Sequence, residues 1–219
     1  MKKEKILRKI IIIFMVCILP TTQVYAGSGT VYVHWLDDIR WQTYNDTDNY
    51  AYQMGYYVVS CENWDNTDIL NQLASAKIIV CHTHGKHGRQ QFQDTYLSGK
   101  HGNGEDVKAV DSLPNGSLNQ LKIAIFYGCN TGNTNSVYGN LPQEVVNKGA
   151  QAAVAWKIQT KVNEVNEWNK YFFSKARNDT IVESYIHADY WTRERLGEDA
   201  GNNMQFNRTE AGNIYGTIY

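Results

Sequence analysis

Two short, almost wholly apolar segments constrain the fold more than any other feature of this chain. Residues 77–81 read Lys-Ile-Ile-Val-Cys, and residues 121–127 read Leu-Lys-Ile-Ala-Ile-Phe-Tyr. Near-continuous runs of Ile, Val, Ala and Phe of this length are typical of parallel strands that helices cover on both faces. We therefore expect these two segments to be the central strands of a mainly parallel sheet.

Strand-like and helical segments alternate along the rest of the chain. Further strand-like runs lie at residues 31–36, 56–61 and 151–156, and helical spacing is found at residues 48–54, 67–76, 141–148, 161–175 and 180–196. Alternation of this kind predicts an α/β fold, in which a mainly parallel sheet is flanked by helices in a three-layer sandwich. Residues 86–116 contain five glycines and little periodicity, which predicts a long loop with a short hairpin.

The first 26 residues have the parts of a secretory signal peptide. Five basic residues lie ahead of or beside an apolar run at residues 10–19, and Val24 and Ala26 form a cleavage site before Gly27. The apolar run is only about half as long as a membrane-spanning helix needs to be. We expect residues 27–219 to form one secreted, extracellular domain without stable membrane association; an uncleaved anchor is the alternative.

The charge that remains without this leader argues against a nucleic-acid partner. Five of the 21 basic residues and one of the 22 acidic residues lie in the leader, so the rest of the chain has a net charge near −5. No basic stripe interleaved with aromatic residues remains either. Of the four cysteines, three remain after Cys17 is removed, an odd number that leaves at least one free thiol unless two molecules pair.

Reactive side chains follow both predicted central strands. His84 and Gly85 come after residues 77–81, and Gly128 and Cys129 come after residues 121–127. Because ligand sites of open α/β sheets lie beyond the carboxyl ends of the strands, this histidine and this cysteine are candidates to meet there. A neighbouring imidazole can take the proton of a thiol, and the N–H groups of Gly85 and Cys129 could stabilise an oxyanion. The alternative for Cys129 is a small buried hydrophobe at a strand end.

These residues resemble a known group of enzymes. A strand ending in His-Gly, followed 45 residues later by a Cys after a second strand, is similar to the caspase, gingipain, clostripain and separase group of cysteine peptidases. Residues 128–132, Gly-Cys-Asn-Thr-Gly, most resemble the bacterial CHAT branch, and so does the helix, Gly-Ala turn and strand of residues 141–156. The resemblance extends roughly over residues 78–190.

The resemblance implies a caspase-like fold and a cysteine endopeptidase that needs no cofactor and acts on a peptide or protein substrate. It implies that His84 is the catalytic base, that Cys129 is the nucleophile, and that the N–H groups of Gly85 and Cys129 bind the oxyanion. Two positions depart from the pattern: Gly128 stands where alanine is commoner, and Tyr127 stands where the family places a pocket-lining residue. The substrate preference therefore cannot be inherited from the family.

Asp37 and Asp38 are further candidates for a substrate pocket. They follow the first predicted strand, at the end of the sheet where His84 and Cys129 are expected. A carboxylate there could bind an Arg or Lys side chain of the substrate through charge-assisted hydrogen bonds. The alternative is a solvated turn, in which Asp residues are common.

The histidines allow a different hypothesis. His82, His84 and His87 have the spacing His-x-His-x-x-His, which resembles the first metal motif of the metallo-β-lactamase fold and would suit a zinc-dependent hydrolase. Lys86, however, stands where that motif has an acid. If His84 is instead the base, we expect His82 and His87 at the surface or behind the catalytic residues, and Cys81 in the core. A non-catalytic secreted binding module on the same fold is the remaining alternative.

The leader can be tested directly. We predict that the full chain, expressed in a bacterial host, is exported and that its intact mass corresponds to a polypeptide beginning at Gly27. The variant Ala26→Trp removes the small residue that signal peptidases require and is expected to retain the leader. An exported wild-type protein that keeps residues 1–26 would contradict the prediction.

Overall fold

The computed structural model describes residues 29–36, 40–62, 68–93, 95–102 and 107–219, so the predicted leader lies outside the described residues. Within these ranges the chain forms ten strands and six α-helices. The strands are β1 (Thr30–Trp35), β2 (Tyr57–Glu62), β3 (Ala76–His82), β4 (Gly85–Lys86), β5 (Arg89–Gln91), β6 (Tyr96–Ser98), β7 (Val107–Ala109), β8 (Ile123–Phe126), β9 (Ala152–Trp156) and β10 (Arg208–Gly212). The helices are α1 (Trp41–Gln53), α2 (Ile69–Ser75), α3 (Leu141–Asn147), α4 (Val162–Ala176), α5 (Ile181–Leu196) and α6 (Glu198–Phe206).

Six of these strands form the main sheet, in the order β10-β9-β8-β3-β1-β2. All neighbouring pairs are parallel except β10 with β9, which is antiparallel. The strands predicted to be central, β3 and β8, are neighbours in the interior of the sheet, and every residue of β8 is buried. The predicted α/β sandwich with a mainly parallel sheet is therefore confirmed.

Helices cover both faces of the sheet because the strand residues alternate between two cores. Ile78 and Val80 of β3 belong to a cluster that includes Trp168 and Phe172 of α4, together with residues of α1, α5 and α6. Ile79 of β3 belongs to a second cluster, to which α2, α3 and residues of the long loop contribute. Successive side chains of a strand point to opposite faces, so a strand covered on both sides has to be apolar throughout.

Four features differ from the expectations drawn from the sequence. Helix α1 begins at Trp41 rather than at residue 48. Its buried residues are Thr43, Thr47 and Ala51, and because two of these are not apolar, the sequence pattern did not indicate the first turns of the helix. The segment of residues 86–116 is not merely a loop with a hairpin, since its described part contributes to a second, four-stranded sheet in the order β4-β5-β6-β7. Helix α6 and strand β10 have no clear apolar periodicity and were not predicted.

Within the described part of the chain, no helix is long and apolar enough to cross a membrane.

A histidine in the core makes the stability of the fold depend on pH. His34, on β1, is 1% exposed, and its ring packs edge-on against Phe92 with 5.3 Å between the ring centroids. Burial lowers the pKa of His34 to about 4, and a hydrogen bond to Gln72 only partly opposes this effect. The folded protein therefore keeps this imidazole neutral at pH values where an unfolded chain would protonate it.

We predict that the free energy of unfolding decreases as the pH falls from about 6.5 to about 4, because the unfolded state then binds a proton that the folded state excludes. The contribution of His34 to this decrease is at most about 3 kcal/mol, from a pKa difference of about 2.5 units. Urea unfolding of the wild type and of His34→Asn, measured across this pH range, checks the prediction. Equal pH slopes in the two proteins would contradict it.

Candidate active site

The candidate site is built where β3 and β8 end side by side. The two strands are paired in parallel from Ile78 with Ile123 to Cys81 with Phe126, and the N–H of Tyr127 extends the ladder by donating to the carbonyl oxygen of Cys81 (2.9 Å). The loops that carry the reactive side chains therefore leave the sheet from the same edge. This edge is where an open α/β sheet places its ligands.

Direct backbone contact joins the two loops. A Cβ atom built on Gly85 would lie 2.6 Å from the carbonyl oxygen of Cys129 and 2.6 Å from the carbonyl carbon of Gly128. Real Cβ atoms do not approach backbone atoms so closely, so this position requires glycine. The residue that follows His84 thus lies against the peptide group that precedes Cys129.

The thiol of Cys129 is the accessible one among the three cysteines that the structure describes. Cys61 and Cys81 are buried, whereas Cys129 is partly exposed. Burial raises the pKa of Cys61 to about 12 and raises the pKa of Cys81 well above its usual value, which keeps both thiols protonated and inert. The Sγ atom of Cys129 lies 3.9 Å from the carbonyl oxygen of Thr160, and the hydroxyl of Thr160 donates to the carbonyl of Tyr127 (2.8 Å).

Hydrogen bonds hold the cysteine loop from two sides. The N–H of Asn130 donates to the carbonyl of Ile158 (2.9 Å), in the loop after β9, and the carbonyl of Asn130 accepts from the N–H of Gly88 (3.1 Å), in the turn between β4 and β5. Asn130 has a φ of 59°, in the left-handed region, which asparagine adopts more readily than most residues. Left-handed residues other than glycine cluster at functional sites, where the surrounding structure holds them in place.

The three clustered histidines lie in different environments. His84 and His87 are exposed, whereas His82 is 2% exposed and its Nδ1 atom is 2.6 Å from the hydroxyl oxygen of Thr43. Burial lowers the pKa of His82 well below its usual value, and electrostatic interactions with Arg40 and His84 lower it further. His82 is therefore a neutral core residue and does not lie at the surface.

This separation bears on the zinc hypothesis. Among the described residues, no three His, Cys, Asp or Glu side chains converge in a group that could hold a metal ion. His82 points into the core against Tyr127, with 5.6 Å between the ring centroids, and its Nδ1 atom is engaged with Thr43. The spacing of His82, His84 and His87 in the sequence thus does not become a common ligand set.

The N–H of Gly85 does not take part in the hydrogen bonds between β4 and β5. The N–H of Gln91 donates to the carbonyl of His84 (2.8 Å), so these two residues form a hydrogen-bonded pair of the antiparallel ladder. Gly85 pairs with Gln90, and because the two kinds of pair alternate, this is a non-hydrogen-bonded pair. The amide that the sequence assigned to an oxyanion site is therefore not used by the neighbouring strand.

Of the three candidate pocket residues, the structure describes only Tyr127. Tyr127 is fully buried: its ring stacks on Trp156 (5.0 Å between centroids), and its hydroxyl donates to the side-chain oxygen of Asn169 (3.1 Å). It offers no surface to a ligand in this structure. Asp37 and Asp38 lie outside the described residues.

One residue that lies between the two loops was not found by sequence reasoning. Gln90, on β5, is 0% exposed, and its side-chain amide contacts both the histidine loop and the cysteine loop. The sequence signal that could have indicated it is weak: a glutamine six residues after His84, inside a segment predicted to be a loop.

A polar cavity of about 410 Å³ opens at the same edge of the sheet, between α1 and α4. Both helices begin at this edge, because each follows the carboxyl end of a strand of the main sheet. Asn166, in the wall of the cavity, accepts a hydrogen bond from the hydroxyl of Thr43 (2.8 Å), which in turn contacts His82. The lining residues are Gln42, Asp46, Asn163, Asn166, Glu167 and Lys170.

The fold is similar to that of two crystal structures of the separase–securin complex of Saccharomyces cerevisiae. In one, the sequence identity is 14% and the TM-score is 0.49; in the other, the identity is 10% and the TM-score is 0.47. Each match covers 84% of this chain and 12% of the other chain, so this chain spans only a small part of its neighbour's length. No protein-family model and no curated protein matches the sequence.

The close contact at Gly85 leads to a prediction. Gly85→Ala is expected to lower the free energy of unfolding by about 1–3 kcal/mol, because the added methyl group meets backbone atoms that cannot turn aside. It is also expected to slow alkylation of Cys129 by peptide-based reagents, since the two loops are forced apart. Gly216→Ala is the control, because there the added Cβ would meet the side chain of Gln151, whose end can move. Equal stability and equal alkylation rates in the wild type and Gly85→Ala would contradict the prediction.

Proposed function

We propose that this protein is a secreted cysteine endopeptidase that cleaves peptide bonds with Cys129 and His84. The observation that carries the proposal is the contact of Gly85 with the backbone of Gly128 and Cys129, which joins the loop after β3 to the loop after β8. This contact supports a common location for a histidine and the accessible thiol at the carboxyl edge of the sheet. The resemblance of both loops to the caspase, gingipain, clostripain and separase group, and of residues 128–132 to its CHAT branch, supports the same assignment.

Burial favours this pair over the other candidates nearby. A nucleophilic thiol has to be reachable and has to ionise, and burial works against both at Cys61 and Cys81. A general base has to accept a proton, and the buried, neutral His82 is unsuited to this role. His84 is exposed and is followed directly by the glycine that contacts the cysteine loop.

In the proposed reaction, His84 accepts the thiol proton of Cys129, and the Sγ atom attacks the carbonyl carbon of the scissile peptide bond. The N–H groups of Gly85 and Cys129 donate to the oxyanion that forms. As the C–N bond breaks, His84 gives its proton to the leaving amine, and the acyl group remains on Cys129 as a thioester. A water molecule then gives a proton to His84 and attacks the thioester, and as the C–S bond breaks His84 returns this proton to the sulfur, which releases the carboxylic acid and restores the free thiol.

The test uses acyloxymethyl ketones that carry Arg, Lys, Asp or Leu before the reactive group, with labelling followed by intact mass. We expect rapid labelling of the wild type, selective for one of these side chains, and complete loss of labelling in Cys129→Ala. His84→Ala should slow labelling by about 100-fold or more, in line with the usual contribution of a general base. Cys61→Ala, which removes a buried thiol, is the matched control and should label like the wild type.

Labelling that is no faster than that of an ordinary free thiol, and that does not depend on the side chain of the reagent, would contradict the proposal. The outcome would then favour a non-catalytic binding module on the same fold.

An aromatic surface on α4 and α5 favours this second function, a non-catalytic binding module. Tyr171 stacks on Trp191 with 5.4 Å between the ring centroids, and Tyr190 is 50% exposed. A cavity of about 380 Å³, lined in part by His187 and Tyr190, lies beside these rings.

A further inference from the structure

The side chain of Gln90 joins the two loops of the candidate active site. Its Nε2 atom donates to the hydroxyl of Thr83 (2.5 Å) and to the carbonyl oxygen of His84 (3.2 Å). Its Oε1 atom accepts from the N–H of Gly128 (3.1 Å), the residue before Cys129. A single buried amide group thus holds the backbone of the candidate base and the backbone beside the candidate nucleophile. We call this arrangement the Gln90 bridge.

The hydrogen-bonding neighbours of the Gln90 amide determine on which side its Nε2 atom lies and on which side its Oε1 atom lies. On one side its neighbours are acceptors, namely the carbonyl oxygen of His84 and the hydroxyl of Thr83, whose own proton goes to the carbonyl of Gln91. On the other side lies the N–H of Gly128, which can only donate. A primary amide has donors at one end and an acceptor at the other, so it satisfies both sides, whereas no apolar or singly functional side chain of this length would.

The absence of a side chain at Gly128 makes room for the Gln90 bridge. A Cβ atom built at Gly128 would lie 2.7 Å from Oε1 of Gln90 and 2.6 Å from the hydroxyl oxygen of Thr131. The space that a methyl group would fill beside Cys129 is therefore occupied by the glutamine amide and the hydroxyl of Thr131. This explains in physical terms why glycine stands at this position, where the resembling family more often has alanine.

We propose that Gln90 is a positioning residue of the reaction: it sets the relative position of His84 and Cys129 and, by binding the N–H of Gly128, orients the peptide chain that leads into the nucleophile. The proposal rests on the proposed peptidase function for its catalytic consequence. The bridge itself consists of contacts between atoms and can be examined without turnover. Loss of the Gln90 bridge should affect the rate of bond breaking more than substrate binding, because Gln90 is buried and so has no surface to offer to a substrate.

The experiment compares wild type, Gln90→Met and Gln90→Glu. Methionine has a similar length but no hydrogen-bonding amide. In Gln90→Met we therefore expect kcat for peptide cleavage to fall by about 100-fold and KM to change by less than about threefold, because a small misplacement of reacting groups slows the reaction itself. Gln151→Met is the matched control. Gln151 also uses both ends of its amide, towards Lys122 and the carbonyl of Thr217, but at the opposite end of β9 from the site.

Gln90→Glu supplies a readout that a merely structural role would not move. An ionised carboxylate keeps an acceptor for Gly128 but offers no donor to the carbonyl of His84, whereas the protonated acid offers both. Burial beside carbonyl oxygens should raise the pKa of this new carboxyl group. The activity of Gln90→Glu relative to wild type should therefore rise as the pH is lowered from about 8 to about 5. The charged and titratable groups around it are His84, Arg89, Cys81 and Cys129, and all four are present in both proteins.

A readout without turnover separates this proposal from the peptidase proposal. Hydrogen exchange of the Gly128 N–H, measured by NMR, should be at least tenfold faster in Gln90→Met than in wild type, whether or not the protein cleaves peptides. If wild type fails to react through Cys129 but this exchange is accelerated, the peptidase function is wrong and the bridge stands as a structural link. Unchanged kcat and unchanged exchange in a folded Gln90→Met would overturn the positioning role while leaving the peptidase function intact. A Gln90→Glu to wild-type ratio that does not vary with pH would also overturn it.

Discussion

The parallel pairing of β3 with β8 is the constraint on which the candidate site depends. It brings the residues after Cys81 and the residues after Phe126 to the same level at one edge of the sheet. Both strands are buried, so the pairing is stabilised by the two helical layers as well as by its own backbone hydrogen bonds. A shift of this pair by one residue would turn apolar side chains from one core into the other and would move the two loops apart.

Tight backbone packing turns this common edge into a defined site. Glycine at positions 85 and 128 lets the two loops approach more closely than side chains would allow, and the amide of Gln90 spans them. The turn between β4 and β5 adds a further contact through Gly88 and Asn130. The small second sheet is therefore part of the site, because its second strand carries Gln90.

The core beneath the site uses polar residues to hold aromatic ones in place. Tyr127, which directly follows β8, is stacked on Trp156 and donates a hydrogen bond to Asn169 on α4. Asn169 in turn donates to the carbonyl of Thr43 on α1 (3.2 Å), so the strand end, α1 and α4 are linked by buried hydrogen bonds. Buried polar groups that are satisfied in this way favour one arrangement of the core over others.

The sequence alone determined the elements with a strong local signal. The runs at residues 77–81 and 121–127 had to be strands covered on both faces, and the helical spacing of residues 180–196 predicted α5. His84 and Cys129 could be singled out because each follows such a strand next to a glycine. Only the tertiary structure decided what depends on distant partners: that α1 begins at Trp41, that β10 pairs with β9, that Tyr127 and His82 are buried, and that Gln90 joins two loops. These features have weak periodicity or none, since their positions are determined by contacts between residues far apart in the chain, and local patterns do not carry that information.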